Sequence, residues 1–211
     1  AVMSDTTGLP PTRYSVIVTR EVRWFAMGEL PVEIDRWFTA NGTLGAVEHR
    51  IDRYNLDHAR HGAGVKARGD ESLDTKRLLG ARDVDLGHGF SGRVEDWVKT
   101  MKPIPEDWHR QDGSFVSVTK DLLTRRYLLD AAAPSPVAAG CAAALARLSV
   151  ADRIAWSFCL ETFGDPSRRG DALRVGFDAL LAETPLPDGS VIASEFSYGY
   201  PYWLDATFNA A

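Results

Sequence analysis

The sequence runs to 211 residues, 45% hydrophobic and 10% aromatic, enough for one domain with a core that needs no disulfide or metal staple. A formal net charge of −5 argues against a general nucleic-acid binder, which would show a basic balance. The two cysteines, Cys141 and Cys159, have no Cys-x-x-Cys spacing, so neither a disulfide framework nor a zinc knuckle is expected, and a reducing cytoplasm is the default location.

Residues 1–12 are small, polar and broken by proline, and read as a disordered leader with Met3 as a native start. No stretch approaches the roughly 18 consecutive apolar residues of a membrane span. From Ser15 to Phe25 the even positions Val16, Val18, Val22 and Trp24 are apolar, while Thr19, Glu21 and Arg23 fall on the other face, which is the pattern of a strand. Pro31 opens a short helix with Ile34, Trp37 and Phe38 at helical spacing, and Asn41-Gly42 stops it. Val47 to Asn55 reads as a strand, and Val65 to Arg68 pairs with Leu73 to Leu79 across a hairpin. Arg93 to Lys99 alternates again, and Phe115 to Leu129 is long enough for two strands or one bent strand.

The alanine-rich, proline-containing stretch within 131–150 reads as a loop or linker, with a short helix from about Val137 as the alternative. Asp152 to Phe163 is a further strand, and Asp171 is placed as the N-cap of a helix. A last strand is expected from about Val191 to Tyr200, with Pro201 to Leu204 capping the domain. The sum is an α+β domain over residues 13–211: an antiparallel β-barrel or tunnel of about eight strands with two or three peripheral helices.

Charge keeps to one face of these strands. Glu21/Arg23, Lys66/Arg68, Asp74/Lys76, Arg93/Glu95/Lys99, Lys120/Arg126 and Glu161 each sit beside apolar neighbours. Two arrangements satisfy that pattern. The charges can lie on the solvated outside of a half-buried sheet, but then Trp24, Trp97, Trp156 and Phe158 all crowd one interior. Alternatively the apolar face is covered by helices and the charges surround a lumen, where they need mutual pairing or an ionic ligand.

These residues resemble the CYTH superfamily, the triphosphate tunnel metalloenzymes. Thr19-Arg20-Glu21-Val22-Arg23 is similar to the family's opening Glu-x-Glu-x-Lys, and Gly64-Val65-Lys66-Ala67-Arg68 to its Leu-Arg-x-Arg strand. Leu73 to Lys76, Glu161 within Trp156 to Phe163, and the ending Ser197 to Leu204 resemble later motifs. The resemblance implies Glu21 and Glu161 as ligands of Mg²⁺ or Mn²⁺, and Arg23, Lys66, Arg68, Lys76 and Arg126 as groups toward an anionic small-molecule substrate; Lys99 and Lys120, on the same charged strand faces, are placed with them as substrate-binding residues. Phosphoryl transfer at such a site needs positioning and charge neutralisation more than covalent chemistry. Thr19 stands where the family has its first glutamate, and no Glu-x-Glu pair occurs in the second half.

Three functions follow as expectations. The first is a tunnel enzyme acting on a phosphorylated or other anionic small molecule, with triphosphate hydrolysis as the family's reaction. The second is a metal-independent cyclase or isomerase in which Glu21, Glu95 or Glu161 works as general acid or base, with Lys76 beside them in a catalytic set. The third is a non-catalytic anion-binding module. No nucleic-acid or membrane partner is expected, and a homodimer stays open. His58 and His61, three apart beside a glycine turn, lack the partners of a zinc set, and the other histidines, including His109, are scattered.

Overall fold

The computed structural model describes residues 15–40, 45–58, 63–69, 72–106, 108, 113–129, 138–183, 185–186 and 194–208. The leader at 1–12, the Asn41-Gly42 stop, His61 and His109 lie outside the described residues. Eight strands are present: β1 (Ser15–Met27), β2 (Glu48–Asn55), β3 (Ala63–Arg68), β4 (Ser72–Gly87), β5 (Phe90–Pro103), β6 (Phe115–Leu128), β7 (Gly140–Val150) and β8 (Arg153–Phe163). They close into a barrel in the order β1-β5-β4-β3-β2-β6-β7-β8, and every neighbouring pair is antiparallel. Three helices complete it: α1 (Val32–Thr39), α2 (Arg169–Glu183) and α3 (Tyr200–Phe208). The α+β barrel of about eight strands is therefore the architecture of this chain. No helix among the described residues is long and apolar enough to cross a membrane.

The outer face of the barrel is apolar over β1, β5, β7 and β8, while most of its inner wall is ionic. Val22, Trp24, Val94, Leu145, Phe158 and Leu160 point outward and are buried under Ile34, Trp37 and Phe38 of α1 and Leu173, Phe177 and Leu180 of α2. Trp24 stacks on Phe158 at 5.6 Å and Phe90 meets Phe177 edge-on at 5.0 Å. Each such buried side chain contributes about 1.5–3 kcal/mol, which is how the fold tolerates charge in its middle. Trp156 packs against the same outer cluster. Trp97 does not, because it shares strand parity with Glu95 and Lys99 and turns inward.

In the second half of the chain, Phe115–Leu128 is one strand rather than two, and three expectations are corrected. The alanine-rich stretch is neither linker nor helix over Gly140–Val150 but strand β7, paired along its length with β6 and β8. Alanine's helix preference is worth under ~1 kcal/mol per residue, and two full ladders with α2 packed on the outer face outweigh it. Asp171 lies in the first turn of α2 rather than at its cap. Finally, no strand runs to Tyr200 among the described residues. Ser197 makes a single bridge to Trp24, and the chain then enters α3 with Pro201 in the first turn, where its missing N–H costs nothing. The tyrosines at 198, 200 and 202 read as strand alternation, but Tyr200, Trp203 and Leu204 are also spaced as one helical face. That face fills one end of the barrel against Phe25, Tyr54, Val118, Leu148 and Ala155. Phe25 stacks on Trp203 at 4.5 Å. The tunnel is thus a cup.

Gly176 sets how closely α2 approaches β7, since a Cβ there would stand 2.3 Å from the Cβ of Cys141. Gly176→Ala is expected to cost about 1–2 kcal/mol, overpacking outweighing the gain in helix preference. A thermal melt reads this as a drop of a few degrees, and an unchanged melting temperature would contradict the packing described.

Candidate functional site: an ionic cup inside the barrel

Alternation of strand faces delivers the site. Glu21 and Arg23 of β1, Lys66 and Arg68 of β3, Asp74 and Lys76 of β4, Lys99 of β5, Lys120 and Arg126 of β6 and Glu161 of β8 all line one cavity of about 350 Å³. Arg50 and Tyr54 of β2, Thr124 of β6, Cys159 of β8 and Tyr200 of α3 join them. The side chains of Arg68 and Glu161 are 39% and 33% exposed, so the cup opens to water at the end away from α3. Eight cationic side chains line the cavity with three carboxylates, in a chain whose overall charge is −5. An acidic shell encloses a basic hollow.

Two ion clusters organise the cup. In the first, Lys76 donates to Glu21 Oε1 at 2.9 Å, Lys99 approaches Oε2 at 3.5 Å, and Lys99 also bonds Glu161. Glu21 is 1% exposed, and burial alone would raise its carboxyl. Lys76, Lys99 and Arg23 more than offset that and hold it well below the usual carboxylate range. Burial would likewise lower Lys99, but Glu161 and Glu21 raise it. Glu95 lies beside Glu21 across β1 and β5 and does not line the cavity. It is sealed beneath Gly199 and accepts the Trp97 indole N–H at 3.1 Å. Burial first, then the charge of Glu21, pushes its carboxyl up. Glu161, Glu21 and Glu95 form a row in register across β8, β1 and β5.

The second cluster centres on a residue the sequence does not single out. Asp52 of β2, fully buried, receives Lys120 at 2.7 Å and Lys66 at 3.0 Å on the same oxygen, Oδ2, while Lys120 also donates to the Tyr54 hydroxyl at 2.7 Å. Burial lowers both lysines to about 7; for Lys66 the charge of Lys120 adds to this, and Asp52 only partly compensates. Burial would raise Asp52, but Lys120, Lys66 and Arg50 hold it well below its usual range. Lys120 lies 3.9 Å from the centre of the Tyr200 ring, a cation–π contact that fixes it to the α3 plug. The sequence hides this cluster because β2 reads Glu48-His49-Arg50-Ile51-Asp52-Arg53-Tyr54, with polar residues on both faces and no parity to follow.

Arg23 and Arg126 differ from the other cations. Neither makes an ion pair with a described residue. Arg23 rests over the Tyr200 ring at 4.9 Å with its Nε buried and unbonded, and Arg126 lies over Phe163 at 4.1 Å. A guanidinium cannot shed its proton, so these two stay charged with no described carboxylate at ion-pair distance.

The donor set does not fit the divalent cation that the family resemblance implies. Glu21 and Glu161 are each occupied by an ammonium group, and among the described residues no three Asp, Glu, His or Cys side chains converge as metal ligands.

No family model matches the chain, and no curated protein does. Among solved structures, the PH1819 protein from Pyrococcus horikoshii OT3 aligns over 90% of this chain and 99% of its own length, with a TM-score of 0.46 and 11% identity. That similarity is too slight to bear on function.

Proposed function

We propose that the protein is a CYTH-like tunnel enzyme acting on a phosphorylated small molecule held by lysine and arginine rather than through a carboxylate-bound metal. The observation that carries this reading is the surplus of cations on the cup, with Arg23, its Nε buried and unbonded, left without an ion-pair partner among the described residues while Arg126 is exposed. A phosphate group supplies that countercharge, and guanidinium groups spread charge over its oxygens as transfer proceeds. Lys66 and Lys120, poised near neutrality, are suited to move a proton to a departing oxygen. Phosphate release from tripolyphosphate and nucleoside triphosphates, measured with EDTA and with Mg²⁺ or Mn²⁺, tests it. Turnover that persists in EDTA supports the reading, whereas turnover strictly dependent on metal overturns the metal-free part. Binding without product in every condition would make the protein an anion-binding module instead.

Proton linkage gives a second check. Sulfate keeps its charge across neutral pH, so any pH dependence of its binding belongs to the protein. Because Lys66 and Lys120 lose protons near 7, sulfate affinity is expected to fall roughly tenfold between about pH 6.5 and pH 8.5. Lys120→Met should flatten that profile. A flat wild-type profile in calorimetry would contradict the assignment.

A metal-independent cyclase or isomerase is the second reading. In that reading Glu161, a third exposed at the mouth of the cup, is the general acid or base that a substrate reaches, since Glu95 is sealed beneath Gly199. Glu161→Gln abolishing turnover on a non-phosphate anion, with sulfate binding intact, would single it out.

A further inference from the structure

One strand of the barrel contributes no charge to the cup. β1, β2, β3, β4, β5, β6 and β8 each direct at least one ionised side chain into the cavity, whereas β7 offers only Ala142 and Ala144. The next inward residues of β7, Ala146 and Leu148, lie in the cluster around α3. Register places Ala142 between Arg126 and Glu161, and Ala144 between Thr124 and Cys159. Leu122 and Phe163 flank this strip on the cavity wall. In the closed order of eight strands β7 stands four places from β4, directly across the barrel from Asp74 and Lys76. The cup therefore has an ionic wall facing a wall of methyl groups.

Small side chains on that strand leave space that Lys or Arg would have filled, and the two alanines themselves offer no side-chain hydrogen-bonding group, although Arg126, Glu161 and Thr124 border them. Phosphate oxygens pressed against Ala142 and Ala144 would lose water without compensation. An apolar group placed there is instead removed from water. The cavity, about 350 Å³, sits at the small end of the roughly 300–1,000 Å³ common for ligand pockets, so it suits one compact molecule.

We infer that the ligand is an organic phosphate whose compact, uncharged apolar group lies against Ala142 and Ala144 of β7 while its phosphate lies toward Arg23 and the lysines of β3 and β4, and not an inorganic polyphosphate. This rests on the anion-binding reading above. The two alanines then select the ligand's organic part, and the lysines and arginines its headgroup.

Methyl phosphate and phenyl phosphate carry the same headgroup and differ only in apolar bulk. Titrated by calorimetry at equal salt and about pH 7.5, phenyl phosphate is expected to bind at least tenfold more tightly. Ala144→Phe should erase that preference. Should Ala144→Phe fail to fold, Ala144→Ser should shrink the preference several-fold, since a hydroxyl there still hydrogen-bonds water. Equal binding of the two probes by the wild type overturns the inference and leaves the anion reading standing. Binding of neither probe, nor of pyrophosphate, removes that reading and the inference with it.

Discussion

Asp52→Asn is expected to lower the melting temperature by roughly 10 °C at about pH 6, corresponding to a loss of roughly 3–5 kcal/mol for a buried charge cluster stripped of one partner. Asp52 is fully buried and accepts from Lys66 and Lys120 through one oxygen, with Arg50 at 3.5 Å from the other. Asparagine keeps the shape and removes the charge, leaving two ammonium groups facing each other inside the barrel. The effect has a definite pH dependence. Lys66 and Lys120 fall from an ordinary 10.5 to about 7 in the folded protein, so between those values the unfolded chain binds more protons. Wild-type stability accordingly rises with pH across that window. Below about 7 both lysines are charged and Asp52 matters most; above it they shed protons and lean on the carboxylate less. The deficit of the variant should therefore shrink toward pH 9. A variant as stable as wild type at pH 6 would mean that Asp52 is not the counter-ion described.

The outward half of this fold is legible in the sequence and the inward half only in part. Glu21/Arg23, Lys66/Arg68 and Glu161 stand out because each lies on a strand whose other face is apolar, so parity alone places them together, whereas Lys120/Arg126 share a strand whose other face carries Thr119, Asp121 and Arg125. Asp52 and Arg50 do not, because Arg53 and His49 make the opposite face of β2 polar as well. β7 is obscured for a different reason. Its alanines locally favour helix over strand, and what makes them a strand is the pair of ladders to β6 and β8, which no local pattern encodes. The segment Tyr198–Leu204 satisfies both periods at once, and only the end of the barrel bounded by Phe25, Tyr54 and Leu148 decides for the helix. Sequence reading also sets Glu95 among the cavity residues. Its parity is right, but Gly199 closes over it, a contact between parts of the chain about a hundred residues apart.

Arg23→Met should cost binding far more than stability. The guanidinium has no ion-pair partner among the described residues, its Nε is buried and unbonded, and its main neighbour is the Tyr200 ring. Its charge is met only at longer range, by Glu21 and Glu161, so replacing it with an apolar chain of similar reach is expected to shift the melting temperature of the unliganded protein by no more than a few degrees. Anion affinity should fall between about tenfold and a hundredfold, the scale of one lost charge-assisted hydrogen bond at roughly 1.5–3 kcal/mol. Ligand-induced thermal stabilisation by pyrophosphate, read on the same samples, should shrink in step. A residue held for structure alone cannot behave this way, because its loss lowers the melting temperature and leaves the ligand's increment intact. The conservative variant separates charge from shape. Arg23→Lys keeps the charge but not the planar fork, so it should retain most of the affinity for a single phosphate while losing the bidentate preference. If Arg23→Met instead melts well below wild type and binds pyrophosphate as before, the guanidinium belongs to the packing against Tyr200 and not to the anion site.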